Sequence, residues 1–340
     1  MSRPTTSTRI VRVVLAAAML LTLGACSTGG DDVVTIYSGR GSSLVNPILE
    51  QFAEETGISV EVRYGDSAEL ALLIQQEGDR TPADVFYSQS PGATGFLSGE
   101  GMLAPLPQET LDLVDERFRN ADGLWVGVSG RQRVLVHNED LVDPAELPES
   151  VFEILEPPLA GRVAVAPSNG SFQDFVTAMV QVEGEARTVE FLEGLVETGA
   201  PTYANNNAIV EAVGRGEVAM GLVNHYYNYR FLEEDPGLPS RNHLLAGDDI
   251  GALLIASPIS VVEGTDQADE ARQLVEFLLA AEAQTYFAEE TFEYPLAVGV
   301  EPADGVPPLA TLDVPPFDID ELGGGLEHTL ELIRESGLAS

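Results

Sequence analysis

Short apolar runs alternate with stretches of helical periodicity along most of the chain. Runs at residues 33–37, 58–64, 82–88 and 163–166 predict strands, whereas Leu44, Ile48, Leu49 and Phe52 lie at helical spacing, with Ser43 as the expected N-cap and Gly57 as the stop. Helices are also predicted at 172–182, from about 208, at 266–281 and at 326–333. Alternation of this kind predicts an α/β fold with a mainly parallel sheet covered by helices.

Two pairs of apolar runs predict crossings between domains. Runs 125–128 and 133–136 are separated by the polar segment 129–132, and runs 251–255 and 259–262 follow later. We interpret each run as a separate strand, the first pair leaving a first lobe and the second pair returning to it. A chain of 340 residues with 44% hydrophobic content is long enough for two such domains.

Small and polar residues follow the predicted strands. Arg40 lies in the loop after the first strand, Asp66 after the second, and Asn169-Gly170-Ser171 after the strand at 163–166. Loops of this composition at one edge of a sheet predict a binding rim. Simple helix capping by Asn or Ser is the alternative for each loop taken alone.

An aromatic stretch, Asn224-His225-Tyr226-Tyr227-Asn228-Tyr229-Arg230, follows the apolar run 218–223, which predicts a buried parallel strand. Neighbouring side chains face opposite ways on a strand and diverge by about 100° on a helix. The two adjacent phenols are therefore expected to converge only at an irregular junction between strand and helix. Half-buried amphipathic tyrosines are the alternative.

The charge and the N-terminus restrict the class of protein. The formal charge is −38 and all 17 basic residues are arginine, which argues against binding to nucleic acid or to anionic lipid. An acidic surface that has no binding role explains this charge at least as well as an acidic surface that binds a ligand. Residues 1–25 combine three arginines with an apolar stretch and predict a signal peptide. The sequence Leu23-Gly24-Ala25-Cys26 looks like a lipobox, so Cys26, the only cysteine, is the expected lipidation site and residues 26–32 a tether.

Enzyme motifs are missing from the sequence. It contains no Gly-x-Ser-x-Gly elbow, P-loop or His-Glu-x-x-His, and its four histidines are scattered. We therefore expect a binding protein, in which His225 supports the site or faces solvent.

Several motifs together resemble one family. They are Tyr37-Ser38-Gly39, the segments 80–88 and 129–134, Pro167-Ser168-Asn169-Gly170-Ser171-Phe172, Asn224-His225-Tyr226-Tyr227 and Glu293-Tyr294-Pro295-Leu296. As a set they resemble the ferric-ion-binding substrate proteins of bacterial ABC importers, which have the type II periplasmic binding protein fold. The resemblance implies two lobes with crossing hinge strands, placed at 33–131 with 255–300 and at 132–254 with 301–340.

The resemblance also implies a ferric site. Fe³⁺ is a hard cation that prefers anionic oxygen, and a bound metal lowers the pKa of its ligands. By resemblance Tyr226 and Tyr227 are the iron ligands, a synergistic anion completes the site, and the positions that match an anion pocket are Asn169, Gly170, Ser171, Asn206 and Asn224. Arg40 and Arg131 are hypothesised to neutralise that anion, the alternative being a pair of solvated surface arginines.

Three positions depart from relatives. Gly41 replaces a histidine ligand, Gln89 an acidic ligand, and Phe172 a third tyrosine found in other members. The expected protein is a monomeric, lipid-anchored, extracytoplasmic component that delivers iron to an ABC permease and ATPase complex. The alternative is a protein of the same fold that binds a phosphorylated or phosphonate small molecule.

Overall fold

The computed structural model describes residues 33–339, except 90, 313, 316, 318–321, 323 and 324. The predicted signal peptide at 1–25, the tether at 26–32 and the lipidation site Cys26 lie outside the described residues. In the described part, none of the helices combines the length and apolar character that a membrane span requires.

The described residues form ten strands and eleven α-helices. The strands are β1 (Val33–Ser38), β2 (Ser59–Tyr64), β3 (Val85–Tyr87), β4 (Leu103–Ala104), β5 (Val126–Asn138), β6 (Val163–Ala164), β7 (Met220–Asn224), β8 (Ser240–His243), β9 (Leu254–Val262) and β10 (Tyr294–Pro295). The helices are α1 (Ser42–Thr56), α2 (Ser67–Glu77), α3 (Pro91–Gly99), α4 (Gln108–Leu111), α5 (Gly170–Glu183), α6 (Glu185–Glu197), α7 (Asn206–Gly214), α8 (His225–Glu234), α9 (Ala268–Leu279), α10 (Ala281–Glu289) and α11 (Leu326–Glu335).

The strands are ordered β2-β1-β3-β9-β5-β7-β6, with β10 and β8 added to β5 and β4 added to β9. Pairing is parallel between β1 and β2, β1 and β3, and β6 and β7, but antiparallel wherever β5 or β9 takes part. The prediction of a mainly parallel sheet was therefore wrong, because the two long connecting strands run against their neighbours. The α/β class was right.

Strand β5 is one continuous strand of 13 residues and not two strands separated by residues 129–132. Every residue of β5 is buried, including the polar ones that interrupt the apolar pattern. Strand β9 is likewise continuous where two strands were predicted. Strand β5 pairs with β9 through Gln132 and with β7 from Arg133 onward. The lobe boundaries themselves stay a prediction.

Helix α1 shows how the sequence sets the element ends. Its N-cap is Gly41 and not the expected Ser43, which lies inside the helix. Gly57 ends the helix in the left-handed conformation at φ 76°, as predicted, because glycine has no Cβ to oppose it. The predicted apolar face, with Ile48 and Phe52, is buried against the sheet.

Candidate functional site

The two adjacent tyrosines lie in the first turn of α8, which begins directly after β7. The tyrosines lie at the predicted junction between strand and helix, but the junction is direct and not irregular. The rings of Tyr226 and Tyr227 stack there, with centroids 4.1 Å apart and planes at 28°. Tyr226 is fully buried and Tyr227 is 8% exposed. The buried hydroxyl of Tyr226 has no hydrogen-bond partner among the described residues.

A cavity of about 210 Å³ lies at the carboxyl ends of the parallel strands. Its lining residues come from the segments that follow β1, β2, β3, β6 and β7 in the sequence. The ends of these five strands therefore contribute to one site, as the general rule for α/β sheets predicts. The lining residues are Gly39, Gly41, Gly65, Asp66, Ser67, Gln89, Asn169, Gly170 and Tyr227.

Arg40 is buried and paired. Its guanidinium forms an ion pair with Glu293, both side chains being 0% exposed, and its Nη1 donates to Gln89 Oε1 at 2.9 Å. Thr291 Oγ1 donates to the same Glu293 oxygen at 3.2 Å. The alternative of a solvated surface arginine is therefore excluded, and much of the Arg40 charge is balanced by Glu293.

Arg131 is also buried, which excludes the surface alternative for it as well. Its Nη2 donates to the backbone carbonyls of Gln89 and, at 3.4 Å, of Ala256. Its Nη1 and Nε have no partner in the described part of the chain. Arg131 thus brings a positive charge against the wall of the cavity that Gln89 forms.

Arg133 is a buried charge that the sequence reasoning missed. Its Nη2 donates to the Leu222 carbonyl at 3.2 Å, and its guanidinium lies 5.0 Å from the Phe175 ring centroid. Burial lowers the pKa of Arg133 to about 9, and the attraction of Tyr227 opposes that shift. Alternation along β5 puts residues 131 and 133 on the same side, and this is the signal that identifies Arg133.

The phenols resist ionisation in the protein alone. Burial raises the pKa of Tyr226 well above its ordinary value, the neighbouring Tyr227 adds to the shift, and Arg40 and Arg131 oppose it. Burial likewise raises the pKa of Tyr87, which the sequence analysis did not single out, and the charge of Arg40 opposes this shift. A strong cation is needed to convert such phenols to phenolates near neutral pH.

His225 is held as a neutral ring beside the tyrosines. Burial lowers the pKa of His225 to about 3, and the backbone N–H of Gln132 donates to its Nδ1 at 3.2 Å. The ring stacks on Tyr294 with centroids 4.6 Å apart. Of the two roles expected for His225, support of the site fits its position and exposure to solvent does not.

The amide and hydroxyl side chains of the predicted anion pocket form a network. Asn169 Oδ1 caps α5 by accepting from Ser171 N at 3.1 Å, and it also accepts from Ser171 Oγ at 2.6 Å. Asn206 Nδ2 donates to Ser171 Oγ at 3.3 Å. Asn224 is fully buried and neither atom of its amide has a partner in the described residues.

The structure therefore brings the sequence-predicted residues to one place but in different ways. Tyr227, Asn169 and Gly170 line the cavity directly. The others are buried around these residues and not on the cavity wall: Tyr226, Ser171, Asn206, Asn224, Arg40 and Arg131.

Comparison with known proteins identifies the family. Residues 80–320 match the family described as bacterial extracellular solute-binding protein. The chain belongs to that family. It is 30% identical over 329 residues to the Fe(3+)-binding periplasmic protein of Serratia marcescens, a match that spans 95% of this chain and 96% of the relative. It is 32% identical over 311 residues to the major ferric iron-binding protein of Neisseria meningitidis, spanning 90% and 93%.

A solved structure confirms the fold. Iron-bound HitA from Pseudomonas aeruginosa superposes with a TM-score of 0.86 at 34% identity, covering 90% of this chain and 99% of HitA. The two-lobed periplasmic binding protein fold and the family resemblance that the motifs predicted are thereby confirmed.

Proposed function

We propose that this protein is the extracytoplasmic substrate-binding component of an ABC importer and that it binds ferric iron through the phenolates of Tyr226 and Tyr227. One observation carries the assignment of the ligands: two stacked phenols, one of them with a buried hydroxyl that lacks a partner among the described residues, sit at a cavity formed by five strand ends. The relatives named for ferric iron support the choice of metal.

The chemistry of the site fits a trivalent cation. Fe³⁺ offsets the desolvation that raises the pKa of Tyr226, because an Fe–O bond replaces the proton on a buried oxygen. The anion that accompanies iron is held in this proposal by Asn169, Gly170, Ser171, Asn206 and Asn224, with Arg131 as the counter-charge. Arg40 contributes less than expected, because Glu293 already neutralises it.

The remaining parts of the proposal concern the cell. We place the protein outside the cytoplasm as a monomer, anchored through a lipid on Cys26, delivering its ligand to an ABC permease and ATPase complex. It binds and releases its ligand without a catalytic step.

The decisive experiment is a titration of the iron-free protein with ferric ion, followed by the visible charge-transfer band of iron phenolate. We expect a band and the release of about two protons per iron. Tyr226→Phe and Tyr227→Phe should each weaken binding beyond the roughly 10–100-fold cost of losing a residue that only supports a metal ligand. Tyr64→Phe, at a tyrosine that is 38% exposed on the surface, is the control and should change neither signal.

Two results would overturn the proposal. One is a band that survives the double change at Tyr226 and Tyr227. The other is tight binding of a phosphorylated or phosphonate molecule with no metal present, which would favour the alternative ligand in the same fold.

A further inference from the structure

A second cavity, of about 330 Å³, lies against β5 at Gln132, the last residue of that strand to pair with β9. Side chains alternate along a strand, so that of Gln132 points away from the side of Arg131, whose guanidinium bonds to Gln89 at the wall of the first cavity. The two cavities have no lining residue in common. The second cavity is therefore a separate site and not an extension of the first.

The walls of the second cavity are mostly apolar and carry no charge among the described residues. Leu245 belongs to the buried core and Leu312 packs against it, whereas Leu244 is 41% exposed. In a protein of formal charge −38, an uncharged wall suits a neutral molecule better than an ion. The lining side chains are those of Gln132, Leu244, Leu245, Pro307, Thr311 and Leu312.

Gln132 brings one unpaired acceptor to this apolar cavity. The residue is 2% exposed, its backbone N–H donates to His225 Nδ1 at 3.2 Å, and its Nε2 donates to the Ala252 carbonyl at 3.4 Å. Its Oε1 is buried and has no hydrogen-bond partner among the described residues. A buried acceptor without a donor is unfavourable, so Gln132 Oε1 favours a ligand that supplies one.

Thr311, the other lining residue with a polar side chain, does not supply that donor. Its hydroxyl donates to the Pro308 carbonyl at 2.7 Å, and a hydroxyl has a single hydrogen to give. The missing N–H or O–H therefore has to come from a molecule in the cavity.

We propose that this second cavity is a binding site for a small, neutral, mainly apolar molecule that donates one N–H or O–H hydrogen bond to Gln132 Oε1. Ligand pockets of about 300–1,000 Å³ with apolar walls and a few polar groups are typical of small-molecule sites, and this cavity lies at the lower end of that range. A molecule of one or two rings matches this size. The inference goes beyond the proposed function, because it uses none of the residues assigned to iron.

The test compares two probes of nearly the same shape, indole and benzofuran, of which only indole has an N–H group. Each is titrated into the iron-free protein and followed by NMR of the leucine methyl groups. We expect indole to shift the methyl signals of Leu244, Leu245 and Leu312 and to bind roughly three- to tenfold more tightly than benzofuran, the effect of one hydrogen bond. Equal affinities, shifts at other leucines only, or no binding of either probe at millimolar concentration would overturn the inference.

A matched pair of leucine variants tests the position of the site. Leu244 and Leu141 are similarly exposed, at 41% and 45%, but only Leu244 lines the cavity. Leu244→Ala should lower the affinity for indole by roughly fivefold or more, because it removes apolar contact area, and Leu141→Ala should not change it. The same affinity in both variants would place indole elsewhere.

Gln132→Leu tests the hydrogen bond, because it keeps a side chain of similar size but removes the acceptor. In this variant indole and benzofuran should bind equally, and a preference for indole that persists would exclude Gln132 Oε1 as the acceptor. If the variant does not fold, the methyl shifts and the leucine pair still decide the position of the site. Failure of indole to bind would leave the iron charge-transfer band unaffected, so the proposed function and this inference are tested separately.

Discussion

At the scale of single residues, the buried charges around the cavity are balanced by partners far away in sequence. Glu293, which neutralises Arg40, comes 253 positions later in the chain. One oxygen of Glu293 accepts from both Arg40 and Thr291, so two donors hold the carboxylate through the same atom. The ion pair therefore belongs to the tertiary fold and not to any local element.

We predict that Glu293→Gln destabilises the iron-free protein by about 3–5 kcal/mol, because it leaves the Arg40 charge buried without a counter-ion. Urea unfolding measures the difference. Glu211→Gln removes one of the two carboxylate partners of Arg215 on the surface, where the side chains are about half exposed, and should have no measurable effect. Equal losses in the two variants would contradict the proposed importance of burial.

The long separation in sequence between such partners limits what the sequence reveals about the site. The tyrosine pair is evident from the sequence because two phenols follow an apolar run directly. The burial of Arg40 and Arg131 is not evident from the sequence, because arginine usually lies at the surface and the partners of these two residues come from other elements. Arg133 was missed for this reason, although its alternation with Arg131 along β5 is visible in the sequence.

At the scale of elements, α7 packs closely against β7, the strand that precedes α8 and its two tyrosines. Gly221 lies in β7, where a Cβ would come 2.1 Å from Ile209 Cγ2 on α7. The length of β5 and β9 was missed because polar residues interrupt their apolar pattern, yet these residues are buried. The hydrophobic pattern alone identifies strands that are apolar throughout. It predicts two strands where buried polar residues interrupt the apolar run of a single strand.

We predict that Gly221→Ala costs about 1–3 kcal/mol in the free energy of unfolding, because the methyl group forces α7 away from the sheet. Thermal or urea unfolding of the iron-free variant checks this. Gly99→Ala at the end of α3 is the control, since a Cβ there meets nothing among the described residues within 4 Å. It should be neutral or slightly stabilising. The interpretation fails if Gly221→Ala unfolds like the unchanged protein.

At the scale of the whole molecule, the predicted ligand residues line one cavity or are buried around it. Tyr226 is fully buried, whereas Tyr227 is 8% exposed and lines the cavity. Arg131 lies near the point where β5 changes its pairing partner from β9 to β7. Its guanidinium donates a hydrogen bond to the backbone carbonyl of Gln89 at the wall of the cavity. Under the proposed function, the buried hydroxyl of Tyr226 becomes accessible to iron when the lobes separate about the crossing strands.

We predict that the iron-free protein populates an open state and that iron with its anion shifts it to the closed one, because only the closed state brings residues of both lobes to the same ligand. Small-angle X-ray scattering should show a decrease of a few per cent in a radius of gyration of roughly 20 Å on loading. The variant with Tyr226→Phe and Tyr227→Phe should show no decrease, since it lacks the bonds that stabilise closure. Identical scattering of the iron-free and loaded protein would mean that the enclosed conformation is the resting one, and iron would then need a route that does not separate the lobes.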